Sequence, residues 1–256
     1  MKIAVLIKQV PGSESRLPIN STSTWIEETS ITYTMNPPDN YALEEALIIR
    51  DKLGSGEVVV ISMGPERVQK VIREGLAKGA DRGIFLKEDE PSMVDPLCVA
   101  KAISKAIEQE KFDLVFTGLQ SDDMGMGQTG VLIGEILGMS TATLAVETEI
   151  SEKTIKIKRE LESGWFQWVS LPIPASVSIQ SGLNVPRYPS LKGIMGAKKK
   201  EIKTVNIDES AVNSTCQKIE KIFVPQTSKQ TEVIEGDVDT TVSKIIEILK
   251  IDTKVI

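Results

Sequence analysis

The sequence predicts a three-layer α/β/α fold built on a mostly parallel sheet. In the first half of the chain, short apolar runs of strand length alternate with amphipathic segments of helix length. A glycine-rich segment lies between one of these strands and the helix that follows it. Repeated strand–helix units form a parallel sheet covered by helices on both faces, with right-handed crossovers. Ligands of such sheets bind beyond the carboxyl ends of the strands, so we expect the functional site there.

The first elements follow from local sequence signals. An uninterrupted apolar run at 3–7 is typical of a central parallel strand. A segment rich in Ser and Thr at 12–30 predicts a long surface loop or hairpin held in place by Trp25. Asn36-Pro37-Pro38-Asp39 is typical of a helix start, with a capping side chain and proline in the first turn. Gly54 is predicted to end that helix.

The next elements repeat this pattern, with strands at 58–62, 84–86 and 114–117 and helices between them. The first of these helices is predicted to end near Gly79. Asp95-Pro96 begins the next helix, again with a capping residue followed by proline. The predicted buried residues of the three helices are Ala42, Leu43, Ala46, Leu47, Val68, Val71, Ile72, Leu76, Leu97, Ala100, Ile103 and Ile107.

The second half of the chain predicts shorter strands with a more exposed pattern, in which Ile155 and Ile157 alternate with lysines. We therefore expect antiparallel strands on the rim of the sheet. An amphipathic helix is predicted at 242–249. The predicted strands are 143–150, 154–159, 165–170, 175–180 and 202–207.

Composition excludes several classes of function. The 256 residues are 41% hydrophobic and 26% charged, as in a globular protein. A net charge of −6 disfavours nucleic acid or an anionic membrane surface as a partner. No apolar run approaches the roughly 20 residues of a membrane span, so we expect no membrane insertion.

The chain contains no His, which excludes His-based triads and His-ligated metals. Cys98 and Cys216 are far apart in the sequence and neither belongs to a Cys-x-x-Cys pair. This usage indicates a reduced, cytoplasmic chain with structural thiols, with a reactive thiol as the lesser alternative. We therefore predict no catalytic residue and no metal site.

The glycine-rich segment at 118–130 reads GLQSDDMGMGQTG and leads into 131–137, which is apolar enough for a buried helix. Such a loop brings backbone N–H groups and a helix N-terminus to an anion, which indicates a nucleotide site. It matches neither the dinucleotide fingerprint nor the triphosphate loop. A flexible connection without a ligand is the alternative.

The charges of this loop narrow the choice of ligand. It carries Asp122 and Asp123 but no Lys or Arg, which favours one phosphate over a triphosphate with magnesium. The carboxylates face either the ribose and base or solvent. Two other stretches, Lys8-Gln9 and Met63-Gly64, also follow predicted strands, and we expect them to line one crevice with Gly118-Leu119-Gln120.

Several stretches together resemble the β (small) subunit of electron-transfer flavoproteins. They occur in the order of that family and cover most of residues 1–200. The matching stretches are AVLIKQV at the start, MNPPDNYALEEAL from Met35, VISMGPERV from Val60, LAKGADRG from Leu76, the glycine-rich loop, IKRELESG from Ile157 and LNVPRYPSLKGIMGAKKK from Leu183.

The resemblance implies a flavodoxin-like, adenine-nucleotide-binding sheet and a heterodimer with an α subunit that carries most contacts to a redox-active FAD. In that family the heterodimer relays electrons from flavin dehydrogenases, and the β subunit binds a second nucleotide, either AMP or, in bifurcating members, a second FAD. The implied nucleotide-binding residues are Leu6, Asn36, Pro37, Pro38, Asp39, Met63, Gly118, Leu119, Gln120, Ser121, Asp122, Asp123, Met124, Gly125, Met126, Gly127, Gln128 and Thr129.

The same resemblance implies a partner-recognition loop at 183–200 for the donor dehydrogenase. Within the nucleotide-binding domain at 1–200, this loop is expected to present an apolar anchor. The segment at 201–256 has too few apolar residues for its own core, so we expect a C-terminal arm packed on the partner subunit. The predicted partner-binding residues are Tyr188, Leu191, Ile194 and Met195.

Departures from the family pattern favour AMP. Bifurcating members usually carry a basic residue directly after the first glycine of the loop and an acidic-glycine-acidic run within it. This chain has Leu119 and Asp123-Met124-Gly125 there. The aromatic residues Trp165 and Trp168 are no hallmark of the family and are interpreted as packed strand residues, with an electron conduit as the alternative.

Two other classes of function remain open. One is a stand-alone nucleotide sensor on the same fold, which would need neither the loop at 183–200 nor the tail. The other is an enzyme that splits an adenine nucleotide at its α-phosphate. Such an enzyme needs a glycine/serine motif near the first strand, and Lys8-Gln9-Val10-Pro11 does not supply one.

Overall fold

The computed structural model describes residues 1–89, 95–207, 216–225, 231, 233–252 and 254–255. These residues form two compact units, Met1–Ile222 and Phe223–Ile256. The first unit contains the sheet and the candidate site. The described part of the second contains one helix.

Nine of the described strands form one sheet in the order β11-β5-β4-β1-β6-β10-β7-β8-β9, and β2 pairs with β3 in a separate antiparallel ribbon. All pairs from β11 to β7 are parallel, whereas β8 and β9 are antiparallel. The strands are β1 Lys2–Leu6, β2 Gln9–Pro11, β3 Tyr33–Met35, β4 Glu57–Gly64, β5 Arg82–Lys87, β6 Leu114–Gly118, β7 Ser140–Ile150, β8 Thr154–Glu160, β9 Phe166–Pro172, β10 Ala175–Ile179 and β11 Ile202–Asn206.

Helices cover both faces of this sheet, which confirms the three-layer fold. Successive residues of β1 alternate between two cores: Ile3 and Val5 pack with α1 and α2, whereas Ala4 and Leu6 pack with α3 and α4. The helices are α1 Pro37–Leu53, α2 Gln69–Lys78, α3 Pro96–Ile107, α4 Thr129–Ile136, α5 Leu191–Ala197 and α6 Val238–Glu247.

The helix ends confirm most of the local predictions. Gly54 follows α1 with a φ of +67°, and Gly79 follows α2. Asp95 caps α3 by accepting the N–H of Cys98 at 2.8 Å. Every predicted inward-facing residue of α1 to α3 is buried except Leu97, which is half-buried.

The prediction of antiparallel rim strands was right for β8 and β9. It was partly right for β7, which pairs antiparallel with β8 but parallel with β10, and it was wrong for β10. This strand lies between β6 and β7, parallel to both, with all five residues buried. Its apolar residues alternate with Ser176 and Ser178, a pattern that is typical of a strand with one face exposed to solvent. The serines are buried because α4 packs on them through glycines, and the Ser176 hydroxyl donates to the Gly130 carbonyl at 2.8 Å.

The prediction that 131–137 is a buried helix was also partly wrong. Ile133 is fully buried, but Val131 and Ile136 are 37% and 44% exposed. The face of α4 that meets the sheet is formed by small residues, since a Cβ at Gly134 would lie 2.3 Å from the Thr141 Cγ2. The larger apolar side chains of α4 therefore point partly outward.

The predicted boundary at residue 200 falls just before an edge strand of the main sheet. β11 pairs with β5 in parallel from Ile202 to Asn206. In the second unit, the predicted helix at 242–249 is confirmed as α6 with a one-turn π-helical extension, and none of its described residues is buried. Whether the segment beyond β11 packs on a partner subunit stays a prediction, and much of it, including 208–215 and 226–230, lies outside the described residues.

Candidate functional site

The candidate site lies at the carboxyl ends of β1, β4 and β6. These three strands are neighbours in the sheet, so the residues that follow them meet at one edge. The N-terminus of α1 lies over the end of β6, and the loop at 119–128 connects β6 to α4. The predicted crevice residues Lys8 and Gly118 come together here on a single side chain, that of Asp39.

Asp39 ties the ends of two strands together. Its carboxylate is only 6% exposed and accepts the backbone N–H of Lys8 at 2.7 Å and of Gly118 at 3.0 Å. Burial raises the pKa of Asp39 to about 7, although the two backbone N–H bonds act in the opposite direction. The close approach requires glycine at 118, because a Cβ there would lie 2.4 Å from the Asp39 Oδ1.

Asn36 was predicted to cap α1, and for its side chain this is wrong. Pro37 and Pro38 supply no N–H, and the N–H of Asp39 already bonds the Asn36 backbone carbonyl at 3.1 Å. The first turn therefore leaves no donor for the Asn36 side chain. Instead its Oδ1 accepts the N–H of Asp122 at 3.0 Å, and its Nδ2 donates to the Gln120 carbonyl at 3.0 Å.

Lys8 neutralises the acidic part of the loop. Its Nζ lies 2.6 Å from the Asp123 Oδ1 and donates to the Ser121 hydroxyl at 3.2 Å. The Asp123 carboxylate also accepts the N–H of Met124 at 2.8 Å. Asp122 and Asp123 are both exposed residues. Lys8 therefore compensates the charge of one of the two exposed carboxylates of the loop.

The N-terminus of α4 presents backbone N–H groups without an acceptor among the described residues. Within the part of the chain that the structure describes, the N–H groups of Thr129, Gly130 and Val131 bond no acceptor. The side chain of Gln128, the residue before the helix, does not cap it either. Open N–H groups at the positive end of a helix favour a negatively charged group such as a phosphate.

Sequence comparisons agree with this geometry. The family model for the electron transfer flavoprotein domain matches residues 23–210. The chain is 33% identical to the electron transfer flavoprotein subunit beta of Methylophilus methylotrophus, over 97% of this chain and 98% of that protein. Identity is 37% to the same subunit of Thermoanaerobacterium thermosaccharolyticum, over 96% and 97% of the two chains, and 33% to the human subunit, over 98% and 99%.

The chain belongs to the electron transfer flavoprotein subunit beta family. Membership assigns it to electron transport, as a flavoprotein subunit. The resemblance on which the sequence prediction was based is thereby confirmed. In the described residues, no helix has both the length and the apolar character needed to cross a membrane.

The nucleotide-binding residues expected for an electron transfer flavoprotein fall into three groups in the structure. Asn36 to Asp39 lie against the loop at 118–129, to which Asn36 and Asp39 are hydrogen-bonded at residues 118, 120 and 122. Met63 is half-buried near the end of β4, next to β1. Leu6 is 8% exposed, and its side chain packs in the core between the sheet and α3. Only the end of its strand, β1, belongs to the candidate site.

The expected partner-binding residues lie outside this cluster, in α5 and the residues before it. All four are exposed: Tyr188 by 94%, Leu191 by 83%, Ile194 by 44% and Met195 by 73%. No sequence signal indicated that Glu44 and Glu45 support this segment through buried contacts. Both lie next to the apolar stripe of α1, where a charged residue is expected to face solvent.

Proposed function

We propose that this chain is the small subunit of a heterodimeric electron transfer flavoprotein. With an α subunit it binds FAD and relays electrons from a flavin dehydrogenase to an acceptor. The chain itself holds a structural AMP and acts as a carrier subunit rather than as an enzyme. The observation that carries this proposal is the open N-terminus of α4 beside a loop that is already fixed by α1 and β1.

The donor set fits one phosphate better than several. The N–H groups of Thr129, Gly130 and Val131 can together satisfy one phosphate, with the Gln128 side chain nearby. Lys8, the basic residue at the end of β1, already pairs with Asp123. A second phosphate would have to break that pair or lie near the exposed Asp122, and both cost free energy.

We therefore expect the purified heterodimer to release one FAD and one AMP when it is denatured. The measurement is chromatography of the nucleotides released by heat or guanidinium, quantified per protein. Two FAD would contradict the proposal and support a bifurcating flavoprotein. A chain that purifies without an α subunit and with a freely exchanging nucleotide would support the stand-alone sensor.

Asn40, within the first turns of α1, provides a matched control for Asn36, which precedes the helix. Asn36→Ala removes the side chain that bonds the loop at 120 and 122, so this variant should retain FAD and lose most of its AMP. Asn40 lies one turn further along and accepts a hydrogen bond from Lys78 instead. Asn40→Ala should therefore keep both nucleotides.

We also propose that the segment at 183–200 recognises the donor dehydrogenase. Leu191 begins α5, and the Ser190 hydroxyl caps this helix by accepting the N–H of Gly193 at 3.0 Å. The exposed lysines Lys192, Lys198 and Lys199 lie close to the apolar residues in the sequence. This arrangement fits a partner surface with an apolar pocket and an acidic rim.

Replacing Leu191 with Ala should raise the KM for the donor dehydrogenase about tenfold, because it removes the apolar anchor. The flavin content and the unfolding midpoint should stay at wild-type values, since the side chain is 83% exposed. Leu17, a leucine 50% exposed in the loop before β3, provides the control variant Leu17→Ala. Equal kinetics for Leu191→Ala and the wild type would remove the anchor assignment.

A further inference from the structure

Two adjacent acidic residues of α1 are buried. The exposed fractions of Glu44 and Glu45 are 5% and 6%. A buried carboxylate costs free energy unless it is paired and hydrogen-bonded. Glu44 is paired with an arginine and Glu45 is hydrogen-bonded, and most of their partners come from one segment, 184–187.

Glu44 holds Arg187 by three hydrogen bonds. The Arg187 backbone N–H donates to the Glu44 Oε2 at 2.9 Å, and its Nε lies 3.0 Å and 2.9 Å from the two carboxylate oxygens. The Arg187 Nη1 also donates to Asp51 at 3.0 Å. One carboxylate therefore fixes both the backbone and the guanidinium group of the same residue.

Glu45 and the backbone of α1 hold Asn184. The Asn184 Nδ2 donates to the Tyr41 carbonyl and to the Glu45 Oε2, both at 3.0 Å. The other Glu45 oxygen accepts the hydroxyl hydrogen of Thr148 on β7. The start of the segment is thus joined to α1 and, through Glu45, to the sheet.

The other end of the segment is held by α2. The Arg73 Nη1 donates to the carbonyls of Ala197 and Lys200 at 2.6 Å and 2.7 Å. Helix α5 packs against α2 so closely that a Cβ at Gly193 would lie 2.3 Å from the Ala77 carbonyl oxygen. The apolar residues between the two fixed ends, Tyr188 and Leu191, are exposed by 94% and 83%.

We propose that Glu44, through Arg187, is a positioning residue for the donor dehydrogenase. This inference rests on the proposed role of the 183–200 segment. The buried pair holds the backbone of the segment in one conformation, so that Leu191 meets its partner without a loss of loop entropy on binding. Glu45 and Asn184 complete the same support. The partner is a protein surface with a pocket for one leucine side chain.

The test uses Glu44→Gln in the complete heterodimer, which keeps the shape of the side chain and removes its charge. The probe is the flavin dehydrogenase that reduces the wild-type heterodimer fastest among a purified panel. We expect the KM for this dehydrogenase to rise about tenfold with kcat unchanged, because a hydrogen-bonded charge pair is lost. Amide hydrogen exchange at 185–191 should become faster, while exchange in the sheet stays slow.

Asp51→Asn is the matched control, because it removes the other carboxylate bound to Arg187. Unlike Glu44, Asp51 has a side chain that is 47% exposed. It should change the KM less than twofold. If Glu44→Gln does not fold, Asn184→Ala provides the second variant, since it weakens the same support without leaving a positive charge unpaired. The same rise in KM is expected.

The double variant Glu44→Gln/Leu191→Ala separates positioning from a general loss of structure. If Glu44 acts by presenting Leu191, its replacement should have little further effect once Leu191 is gone. Independent, multiplying effects would overturn the inference, as would a wild-type KM for Glu44→Gln. If Leu191→Ala alone leaves the KM unchanged, the proposed role of the segment is wrong and the inference fails with it.

Discussion

Replacement of Gly118 by Ala is expected to destabilise the first unit by about 3 kcal/mol or more and to abolish nucleotide binding at the proposed site. The added Cβ would lie 2.4 Å from the Asp39 Oδ1, 2.7 Å from the Pro38 Cβ and 2.9 Å from the Asp39 backbone nitrogen. None of these atoms can move freely. The Asp39 carboxylate is held by two N–H donors, and the other two atoms belong to the first turn of α1.

The strain would be transmitted directly to the loop. If α1 moves away from β6, Asn36 loses its bonds to residues 120 and 122, which fix the loop before α4. Urea unfolding and nucleotide content measure the two effects. Gly196→Ala is the control, because no heavy atom lies within 4 Å of a Cβ there. It should match or slightly exceed wild-type stability, and a Gly118→Ala protein with the same stability would contradict the packing argument.

Asp39→Asn is expected to change how stability depends on pH. The pKa of Asp39 is raised to about 7 from an ordinary value of 3.8, chiefly by burial. Below pH 3.8 the carboxyl is protonated in both the folded and the unfolded state. As pH rises toward 7, the unfolded state loses the proton first, so the wild type loses stability relative to a neutral side chain. The full loss is roughly 4 kcal/mol and is complete above pH 7.

The measurement is the difference in free energy of unfolding between the wild type and Asp39→Asn at several pH values from 5 to 8. The difference should shift in favour of the Asn variant as pH rises, by about 1.4 kcal/mol per pH unit below 7. If the Asn variant loses the hydrogen bonds from the N–H groups of Lys8 or Gly118, this loss adds a constant to the difference in unfolding free energy that does not depend on pH. Asp122→Asn, which removes an exposed carboxylate of the same loop, should show no such trend. A flat difference for Asp39→Asn would show that its carboxyl is ionised throughout.

Local sequence signals predicted the elements whose cause is local. The apolar run of β1, the Asp95-Pro96 start of α3 and the glycine after α1 all act within a few residues, and each is found as predicted. β10 was misplaced because its pattern depends on what covers it. Its serines are buried only because α4 presents Gly130 and Gly134 to them, and these glycines come some 40 residues earlier in the chain.

The candidate site shows the same difference between local sequence signals and contacts of distant residues. The order of strand, glycine-rich loop and helix indicated an anion site at 118–130, because open N–H groups at a helix start are a property of the backbone. The sequence could not show that Lys8 would neutralise Asp123, or that two prolines would free Asn36 to bind the loop instead of its helix. Each of these contacts joins residues more than 80 positions apart, so the local sequence pattern does not predict them.

By itself, therefore, the sequence determined the α/β class, the family and the absence of histidine chemistry, and it predicted a site at the strand ends. These depend on residue type, on short-range periodicity and, for the family, on an ordered set of short motifs. Only the tertiary structure decided which carboxylates are buried and what they hold. Asp39 joins two strand ends, and Glu44 and Glu45 fix the segment that exposes Leu191. The reason is that burial and pairing of a charge are set by the elements that pack against it, and the packing of distant elements is a property of the whole fold.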